Sequence, residues 1–420
     1  MDRRDLLKLL AGTAISSPFP SLGQAHSADD DAFLDDMQMR GCLYFVEQAS
    51  PVTGQVLDAA TAINATGALD PRRMASIAAT GFGLTALCIA DKRAYRPHAE
   101  LIEQVRRTLR FHAEDMPHDH GFFSHFTDRE TAVSVPGSEI SSIDTALLLC
   151  GVLTARAHFG RDAEIVKLAT EIYNRVDWPW MLNGSNTFSM GVYKGSFLKS
   201  RWNQYCELMM LYLLAIGSPT HPVDPACWLA WTRPRMTYAG VEYITAIDPL
   251  FVHQYSHAWF DFRNKRDIFA DYFANSTLAT QAHMAFCLGM GKPYSADYWG
   301  ISASDSRHGY VAWGGPPSFG GIDGSIVPYA TAGSLPFLPE ACLRVQRALR
   351  SNYGKLAWGR YGFCDAMNPD EHWYDEKVLG IDLGISVVMA ENYRSGFVWS
   401  TFAKNREVGI AMRKAGFRSI

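Results

Sequence analysis

Three acidic residues share one setting in this sequence, because each stands at the polar entrance of a long apolar run. Asp144 precedes TALLLCGVL, Glu207 precedes LMMLYLLAI and Asp382 precedes LGISVVMA. A helix that is apolar on every face is buried all round, so each carboxyl is expected at the mouth of an inner helix. A single acid at such a position would most simply cap its helix. Three acids in equivalent positions predict a shared site.

Two carboxyl groups that face one cavity supply what glycoside hydrolysis needs. A protonated carboxyl donates to the leaving oxygen, and a carboxylate activates water or attacks the sugar. A carboxyl separation of about 6.5–9.5 Å predicts inversion, and about 5 Å predicts retention. A helix N-terminus favours the ionised form, whereas burial among apolar side chains favours the neutral form. The sequence therefore leaves open which carboxyl keeps its proton.

Polar and aromatic side chains stand close to these acids or in long loops, where they are suited to hydrogen-bonding and stacking on a sugar. Trp202, Asn203 and Tyr205 come just before Glu207. The loop aromatics expected to gather at one rim of the fold are Phe122, Phe123, Tyr193, Phe197, Trp202, Trp259, Tyr298, Trp299, Trp313, Trp358, Tyr361 and Trp373. Three arginines are candidates to bind substrate hydroxyls or to form salt bridges within the fold: Arg263, Arg360 and Arg394.

Histidines form two groups that invite comparison with metal sites. His253 and His257 stand four apart, but the intervening QYS lacks the glutamate of a zinc-protease helix, so we expect them to contact substrate. His118, His120 and His125 share a surface loop, where clustered histidines seldom hold a metal. There is no nucleophile elbow, P-loop or dinucleotide fingerprint. No metal or organic cofactor is expected.

The elements that must position the acids are predominantly helical. Apolar helices predicted at Met74–Ala90, Ser138–Gly160 and Asp382–Tyr393 alternate with amphipathic ones such as His98–Glu114. The spacing of hydrophobic residues predicts roughly ten to twelve helices and few strands. Inner apolar helices that alternate with outer charged ones predict an all-α ring of helix pairs, an α/α barrel. The long aromatic loops are then expected to collect at one rim.

The N-terminus and the composition indicate the compartment. Residues 2–8, DRRDLLK, resemble a twin-arginine export signal and are followed by a short apolar stretch, so residues 1–27 are predicted to be a cleaved export peptide. Residues 28–420 would form one catalytic domain that is periplasmic or secreted and has no membrane anchor. The net charge of −4 gives no support for nucleic-acid binding. Eight scattered cysteines argue against a zinc cluster or a disulfide framework.

Five long motifs make the chain similar to a known family. These motifs resemble the glycoamylase-like domain family, which includes bacterial endo-β-1,2-glucanases of glycoside hydrolase family 144. The resemblance extends over nearly all of residues 28–420 and implies a single (α/α)6 barrel acting on β-1,2-linked glucan or its oligosaccharides. The motifs are SEISSIDTALLLCG (138–151), RWNQYCELMMLYLLAIGSPTHP (201–222), PLFVHQYSHAWFDFRN (249–264), YWGISASD (298–305) and LGIDLGISVVMAENYRSG (379–396).

The resemblance also bears on the acids, because the family's important acids map onto Asp144, Glu207 and Asp382, with Glu139 as a neighbour. The leading hypothesis is an exported inverting glycoside hydrolase with Glu207 as general acid and Asp382 as general base. Asp144 would orient the substrate or tune the proton path. Two alternatives remain open at this point. One is a polysaccharide lyase that uses Tyr255 or His257 as base, and the other is a periplasmic glycan-binding protein without catalysis.

Overall fold

The structure is a computed structural model, and it describes residues 27–420. The predicted export peptide lies outside these residues except for Ser27, whose side chain caps the first helix by accepting from the backbone N–H of Asp30. The α-helices of the described residues are α1 (Ala28–Glu47), α2 (Ile77–Lys92), α3 (His98–Glu114), α4 (Ser142–His158), α5 (Ala163–Asn174), α6 (Trp178–Leu182), α7 (Met209–Gly217), α8 (Tyr255–Trp259), α9 (Tyr272–Met290), α10 (Pro328–Ala332), α11 (Pro339–Ala357), α12 (Gly380–Ser395), α13 (Phe397–Phe402) and α14 (Arg406–Lys414).

Short strands join the loops between the helices. The largest sheet has the order β3-β5-β7-β8, and every other sheet in residues 27–420 is a pair of strands. Three 3₁₀ helices occur at Pro225–Leu229, Leu250–His253 and Pro369–Glu371. The strands are β1 (Ala59–Thr61), β2 (Met74–Ser76), β3 (Phe123–Ser124), β4 (Phe126–Asp128), β5 (Ile140–Ser141), β6 (Phe188–Ser189), β7 (Gly191–Tyr193), β8 (Ser196–Phe197), β9 (Arg201–Trp202), β10 (Arg235–Tyr238), β11 (Val241–Ile244), β12 (Lys265–Arg266), β13 (Ala303–Ser304), β14 (Val311–Ala312), β15 (Trp358–Gly359), β16 (Gly362–Phe363), β17 (Met367–Asn368), β18 (Trp373–Tyr374), β19 (Lys377–Leu379) and β20 (Arg418–Ser419).

The helices fall into a buried class and an amphipathic class, as the hydrophobic pattern predicts. Every residue of α7 is buried, and burial is nearly continuous along α2, α4 and α12. The helices α3, α5 and α14 bury only one stripe. The amphipathic helix α3 has the predicted bounds. Both α2 and α4 begin later than predicted because their first residues form β2 and β5.

The buried helices pack side by side, with amphipathic helices outside them. Helix α2 contacts both α4 and α12, and α4 also contacts α7. Outside them, α1 packs on α2 and α12, α5 on α4, and α14 on α7. Side-chain bonds continue the series, because Ser256 Oγ donates to the Glu207 carbonyl at 2.6 Å and Gln254 Nε2 donates to the Ala330 carbonyl at 2.8 Å. These bonds connect α8 to the start of α7 and to α10.

Glycines set the spacing of α2 from both of its buried neighbours. A Cβ atom on Gly81 would stand 2.3 Å from the Leu147 carbonyl oxygen, and one on Gly151 would stand 2.0 Å from the Gly81 carbonyl oxygen. On the other side of α2, a Cβ atom on Gly384 would stand 2.4 Å from Cβ of Phe82. Helices α4 and α12 therefore approach α2 more closely than any side chain would permit.

Two further features of the described residues concern membranes and cysteines. No described helix combines the length and the apolar character that a membrane crossing requires. All eight cysteines are free and buried.

Candidate active site

The three predicted acids lie at the starts of buried helices. Asp144 and Asp382 stand in the first turns of α4 and α12, and Glu207 precedes α7 by two residues. Their exposed fractions are only 6%, 4% and 8%, respectively. All three carboxyls act on the same phenol: after burial, the charges of Asp382, Glu207 and Asp144 all raise the pKa of Tyr255. The structure thus brings the three acids together around one side chain.

The Glu207 carboxyl is buried away from water, and its hydrogen bonds compensate for this burial only in part. Its Oε2 atom has no hydrogen-bond partner among the described residues. Burial raises its pKa to about 7, and the nearby Asp144 charge adds to that rise. Burial disfavours the charged form of an acid, so Glu207 keeps its proton to near neutral pH. This is the state that a general acid requires.

Asp144 lies next to a positively charged histidine. The Ser141 hydroxyl donates to Asp144 Oδ2 at 2.5 Å. His125 places Nε2 3.5 Å from Asp144 Oδ1 and Nδ1 3.2 Å from Glu139 Oε1. Burial opposes the imidazolium, but the Asp144 and Glu139 carboxylates outweigh burial and raise the pKa of His125 to about 9. Both ring nitrogens then act as donors to the two carboxylates.

Asp382 lies among further acids. Tyr255 donates its hydroxyl toward Asp382 Oδ1 at 3.5 Å, while Asp382 Oδ2 is buried without a partner among the described residues. Burial raises the pKa of Asp382 well above its usual range, with further contributions from Asp365 and Asp58. Burial likewise raises the pKa of Asp365 to about 7 and that of Asp58 to about 6.

The acidic side of the site extends from Asp365 into neighbouring loops. Asp365 Oδ2 accepts the backbone N–H of Asp305 at 2.8 Å, and Asp375 Oδ1 accepts that of Lys377 at 3.1 Å. Carboxylate oxygens of Asp305, Asp365 and Asp375 all lie within 4.8 Å of one another. The Lys377 ammonium donates to Asp305 and supplies a positive charge to this group. Three carboxylates could hold a cation, but here a lysine already neutralises part of their charge.

Asp58 and Asp365 were not predicted as site residues, and His125 was considered only as a metal ligand. Asp58 follows a short loop rather than an apolar run, and Asp365 lies between the hairpin strand β16 and β17. His125 is separated from Asp144 by β5 and its preceding loop. Their convergence depends on pairing between distant strands such as β1 with β19. Nothing in the local sequence pattern reports such pairing.

Some of the predicted ligand-binding residues lie near the acids. Glu139 contacts His125, as described above, and is half-buried. Trp202 is 9% exposed and donates its indole N–H to Ser142 Oγ at 2.9 Å, beside the start of α4. Asn203 is exposed next to it. Glu139 and Asn203 keep exposed side-chain surface here, whereas Trp202 is largely buried.

Other predicted ligand-binding residues are enclosed in the core, so the expectation that they contact substrate is wrong for this structure. His253 lies between the Tyr205 hydroxyl at 3.3 Å and Asp248 Oδ1 at 3.2 Å. His257 faces Ser276 Oγ at 3.0 Å, and burial lowers its pKa to about 3. The members of this enclosed set, all at most 1% exposed, are Tyr205, His253, His257, Trp259, Trp299 and Trp313.

The three arginines pair with acids inside the fold, which is the alternative that the sequence left open. Arg263 binds Asp261 at 2.8 Å, Arg360 binds Glu47 at 2.7 Å and Arg394 binds Asp31 at 2.8 Å. Trp358 is half-buried against Phe33 and Phe363. Among the remaining loop aromatics, Phe122, Phe123 and Tyr361 are fully buried, whereas Tyr193, Phe197, Tyr298 and Trp373 are partly exposed.

The histidines of the 118–125 loop do not share a ligand site. His118 Nδ1 accepts the backbone N–H of Gly121 at 3.3 Å. His120 Nδ1 lies 3.2 Å from Asp177, and its ring stacks on Trp180. His125 turns instead toward Asp144. The loop therefore spreads its imidazoles in different directions.

Comparisons with known proteins agree with this geometry. The Glycoamylase family model, which describes glucoamylase-like proteins, matches residues 199–406. The exo β-1,2-glucooligosaccharide sophorohydrolase (non-reducing end) of Parabacteroides distasonis is 25% identical over 429 residues, which cover 92% of this chain and 58% of the relative. This chain therefore spans less than two thirds of that relative's length.

Solved structures give the same result. The endo-β-1,2-glucanase from Chitinophaga pinensis, in complex with sophorotriose and glucose, has a TM-score of 0.86 at 26% identity, covering 94% of this chain and 99% of that chain. The endo-β-1,2-glucanase from Talaromyces funiculosus, at 13% identity and a TM-score of 0.68, covers 94% and 90% and shares the fold. The matched family segment contains both Glu207 and Asp382. Over residues 199–406 this chain is similar to the glycoamylase-like family.

Proposed function

We propose that this protein is a glycoside hydrolase that cleaves β-1,2-glucan or its oligosaccharides. The observation that carries the proposal is Glu207, a buried carboxyl with a pKa of about 7 that shares its site with Asp144 and Asp382. A neutral acid and separately held carboxylates are what glycosidic cleavage needs. The similar proteins named above act on β-1,2-linked glucans, which supports this substrate class.

In the proposed reaction, Glu207 donates its proton to the glycosidic oxygen as general acid. Asp382 acts as general base and takes a proton from the water that attacks the anomeric carbon, which inverts its configuration. Asp144 orients the substrate, and the His125 imidazolium holds Asp144 and Glu139 in place. Trp202 and Asn203 supply an apolar ring face and an amide beside the acids.

We infer that the fold is an (α/α)6 barrel with its catalytic acids at one end. The buried helices α2, α4, α7, α10 and α12 would form its inner ring, together with the 250–259 segment that contains α8. The pairwise contacts of α2, α4, α7 and α12 support this ring, as do the bonds from Ser256 and Gln254. The single-domain organisation of residues 28–420 belongs to the same proposal.

The test is a product analysis on a panel of linear β-1,2, β-1,3, β-1,4 and α-1,4 glucans. We expect oligosaccharides from the β-1,2 polymer alone, and Glu207→Gln should abolish their release while circular dichroism and Tm remain native. Release from another polymer only would contradict the linkage. An unsaturated product absorbing in the ultraviolet would favour a lyase, and binding without any product would favour a glycan-binding protein. The sizes of the first products distinguish endo from exo cleavage.

We also propose that the protein is exported through the twin-arginine route, because Arg3 and Arg4 precede a short apolar stretch. Expression of the full chain in a host with that pathway should yield a periplasmic or secreted protein shortened near residue 27. Replacing both arginines with lysine should leave it in the cytoplasm. Export of the lysine variant at the native rate would contradict this route.

A further inference from the structure

Two buried carboxyls, Asp382 and Asp365, border one small, partly open cavity. The cavity has a volume of about 30 Å³, and Tyr329, Gln346 and Ser386 also line it. Each acid is only 4% exposed. Asp365 arrives from the segment between β16 and β17, whose backbone is held by the bond from Asp365 N–H to the Lys377 carbonyl at 2.9 Å. The two side chains therefore meet at this cavity from separate elements.

The hydrogen bonds of these two carboxyls leave one oxygen of Asp382 without a donor among the described residues. Asp365 Oδ2 is occupied by the Asp305 N–H at 2.8 Å, and Asp382 Oδ1 faces the Tyr255 hydroxyl at 3.5 Å. Asp382 Oδ2 is buried and has no donor among the described residues. Two neighbouring buried carboxylates oppose each other's ionisation. A single proton held between them would satisfy the unpartnered oxygen.

We propose that Asp365 and Asp382 share one proton, and that Asp365 is a positioning residue that accepts this proton when Asp382 acts as general base. The proposal rests on the proposed function for its catalytic part. In the resting enzyme the pair carries one proton and one negative charge. Sharing of this kind is known for carboxylate pairs in which one pKa is strongly raised.

The proton balance of the step is complete. Asp382 passes its proton to the Asp365 carboxylate, and the resulting Asp382 carboxylate takes a proton from water as the water oxygen bonds to the anomeric carbon. The bond from that carbon to the glycosidic oxygen breaks, and Glu207 protonates the leaving oxygen. After product leaves, the extra proton on the carboxyl pair and the missing proton on Glu207 are restored through solvent.

The surroundings favour a single negative charge on the pair. The acids that act on it are Asp58, Asp305 and Asp375, and the phenols are Tyr255, Tyr310 and Tyr329. Lys377 supplies a compensating positive charge, which it places on Asp305. Burial raises the pKa of both Asp365 and Asp382, in agreement with a proton retained between them.

The first experiment compares Asp365→Asn with the matched control Asp375→Asn. The new side chain of Asp365→Asn can still accept the Asp305 N–H, but its amide cannot take up a proton. We expect kcat on a β-1,2-gluco-oligosaccharide to fall about 100-fold with KM changed less than about twofold. The acid limb of the kcat profile should move to lower pH, because loss of the Asp365 charge removes a cause of the raised pKa of Asp382. Asp375→Asn removes a charge that acts on Asp365 but no member of the pair, so it should keep kcat within about threefold and move the limb less than Asp365→Asn does.

Native kcat and an unmoved acid limb in Asp365→Asn would overturn the proposal. Should that variant fail to fold, a ¹³C-carboxyl titration of aspartate-labelled wild-type protein decides the same point. Two buried aspartates that titrate in coupled, well-separated steps support the shared proton, and two that are both ionised at pH 6 overturn it. This titration needs no substrate, so it remains decisive even when the glucan panel gives no product.

Discussion

The two sides of the candidate site use the same residue types to reach different charge states. On one side, Glu207 is held neutral by removal from water, and Asp144 lies beside the His125 imidazolium. On the other side, Asp382 is surrounded by acids, with Lys377 as the neighbouring cation. Burial raises the pKa of both Glu207 and Asp382, and neighbouring acids raise that of Asp382 further, whereas Asp144 faces a cation. An equivalent position at a helix entrance therefore does not determine a carboxyl's role.

The sharpest way to test this contrast is to remove each acid in turn. Glu207→Gln and Asp382→Asn should each lower kcat on β-1,2-glucan about 1000-fold, because each loses one proton-transfer partner. With a sophorosyl fluoride substrate, whose leaving group needs no proton, Glu207→Gln should recover to within about tenfold of wild type and Asp382→Asn should not. Initial rates of fluoride release measure both. Recovery of the Asp382 variant instead would exchange the two roles.

The desolvation of Glu207 also predicts a stability change. Its pKa is about 7 in the folded protein against an ordinary value of 4.5, so the folded state binds the proton more tightly. Wild type consequently loses stability relative to Glu207→Gln as pH rises from about 4.5 to about 7. The variant should be more stable by up to about 3 kcal/mol at pH 8 and equal at pH 4. Urea unfolding at the two pH values measures this, and equal stability at pH 8 would contradict the burial argument.

The His125 side can be tested by His125→Gln, which keeps a side-chain amide without the charge. We expect kcat/KM to fall about tenfold, since Asp144 and Glu139 lose their shared donor. The pKa of His125 is raised to about 9 in the folded protein, so its stabilisation is complete below the ordinary value of 6.5 and is lost as pH rises through about 9. The variant should therefore be less stable than wild type at pH 6 but not at pH 10. A stability gap that persists at pH 10 would indicate lost packing instead.

The smallest expected effect concerns the cation of the acidic side. Lys377→Met removes the positive charge from Asp305 and leaves Asp365 and Asp382 in place. The acid limb of the kcat profile should move to higher pH by a few tenths of a unit, and kcat at its maximum should change less than about threefold. Lys377→Arg is the matched control and should leave the limb unmoved. A limb that moves to lower pH in the methionine variant would show that Lys377 does not act on this pair.

Much of this architecture was predictable because the burial of a helix follows from the spacing of apolar residues along its own sequence. The amphipathic period predicted the bounds of α3. The apolar runs predicted the buried character of α2, α4, α7 and α12 and the position of Asp144, Glu207 and Asp382 at helix starts. The short strands could not be read in this way, because two or three residues do not establish an alternating pattern. Asp58 and Asp365, which depend on those strands, were missed for the same reason.

The aromatic and histidine candidates show a different limit. Trp259, Trp299 and Trp313 stand in loops or beside them, yet each fills the interior. Trp259 donates its indole N–H to Thr85 Oγ1 at 3.0 Å, a bond between residues 174 positions apart. Sequence composition identifies side chains able to stack on a sugar. It does not report whether the surrounding loops leave a face of the ring open.

The glycines along α2 have a consequence for how this enzyme could change. Helix α2 acts as a spacer between the helix that begins with Asp144 and the helix that begins with Asp382, and both contacts depend on the missing side chains of Gly81, Gly151 and Gly384. A methyl group added at any of these positions would increase the distance between the Asp144 and Asp382 carboxyls without contacting either of them. Since Asp144 is proposed to orient the substrate and Asp382 to act as general base, a change at these glycines would shift the substrate relative to its base through residues that carry no functional group.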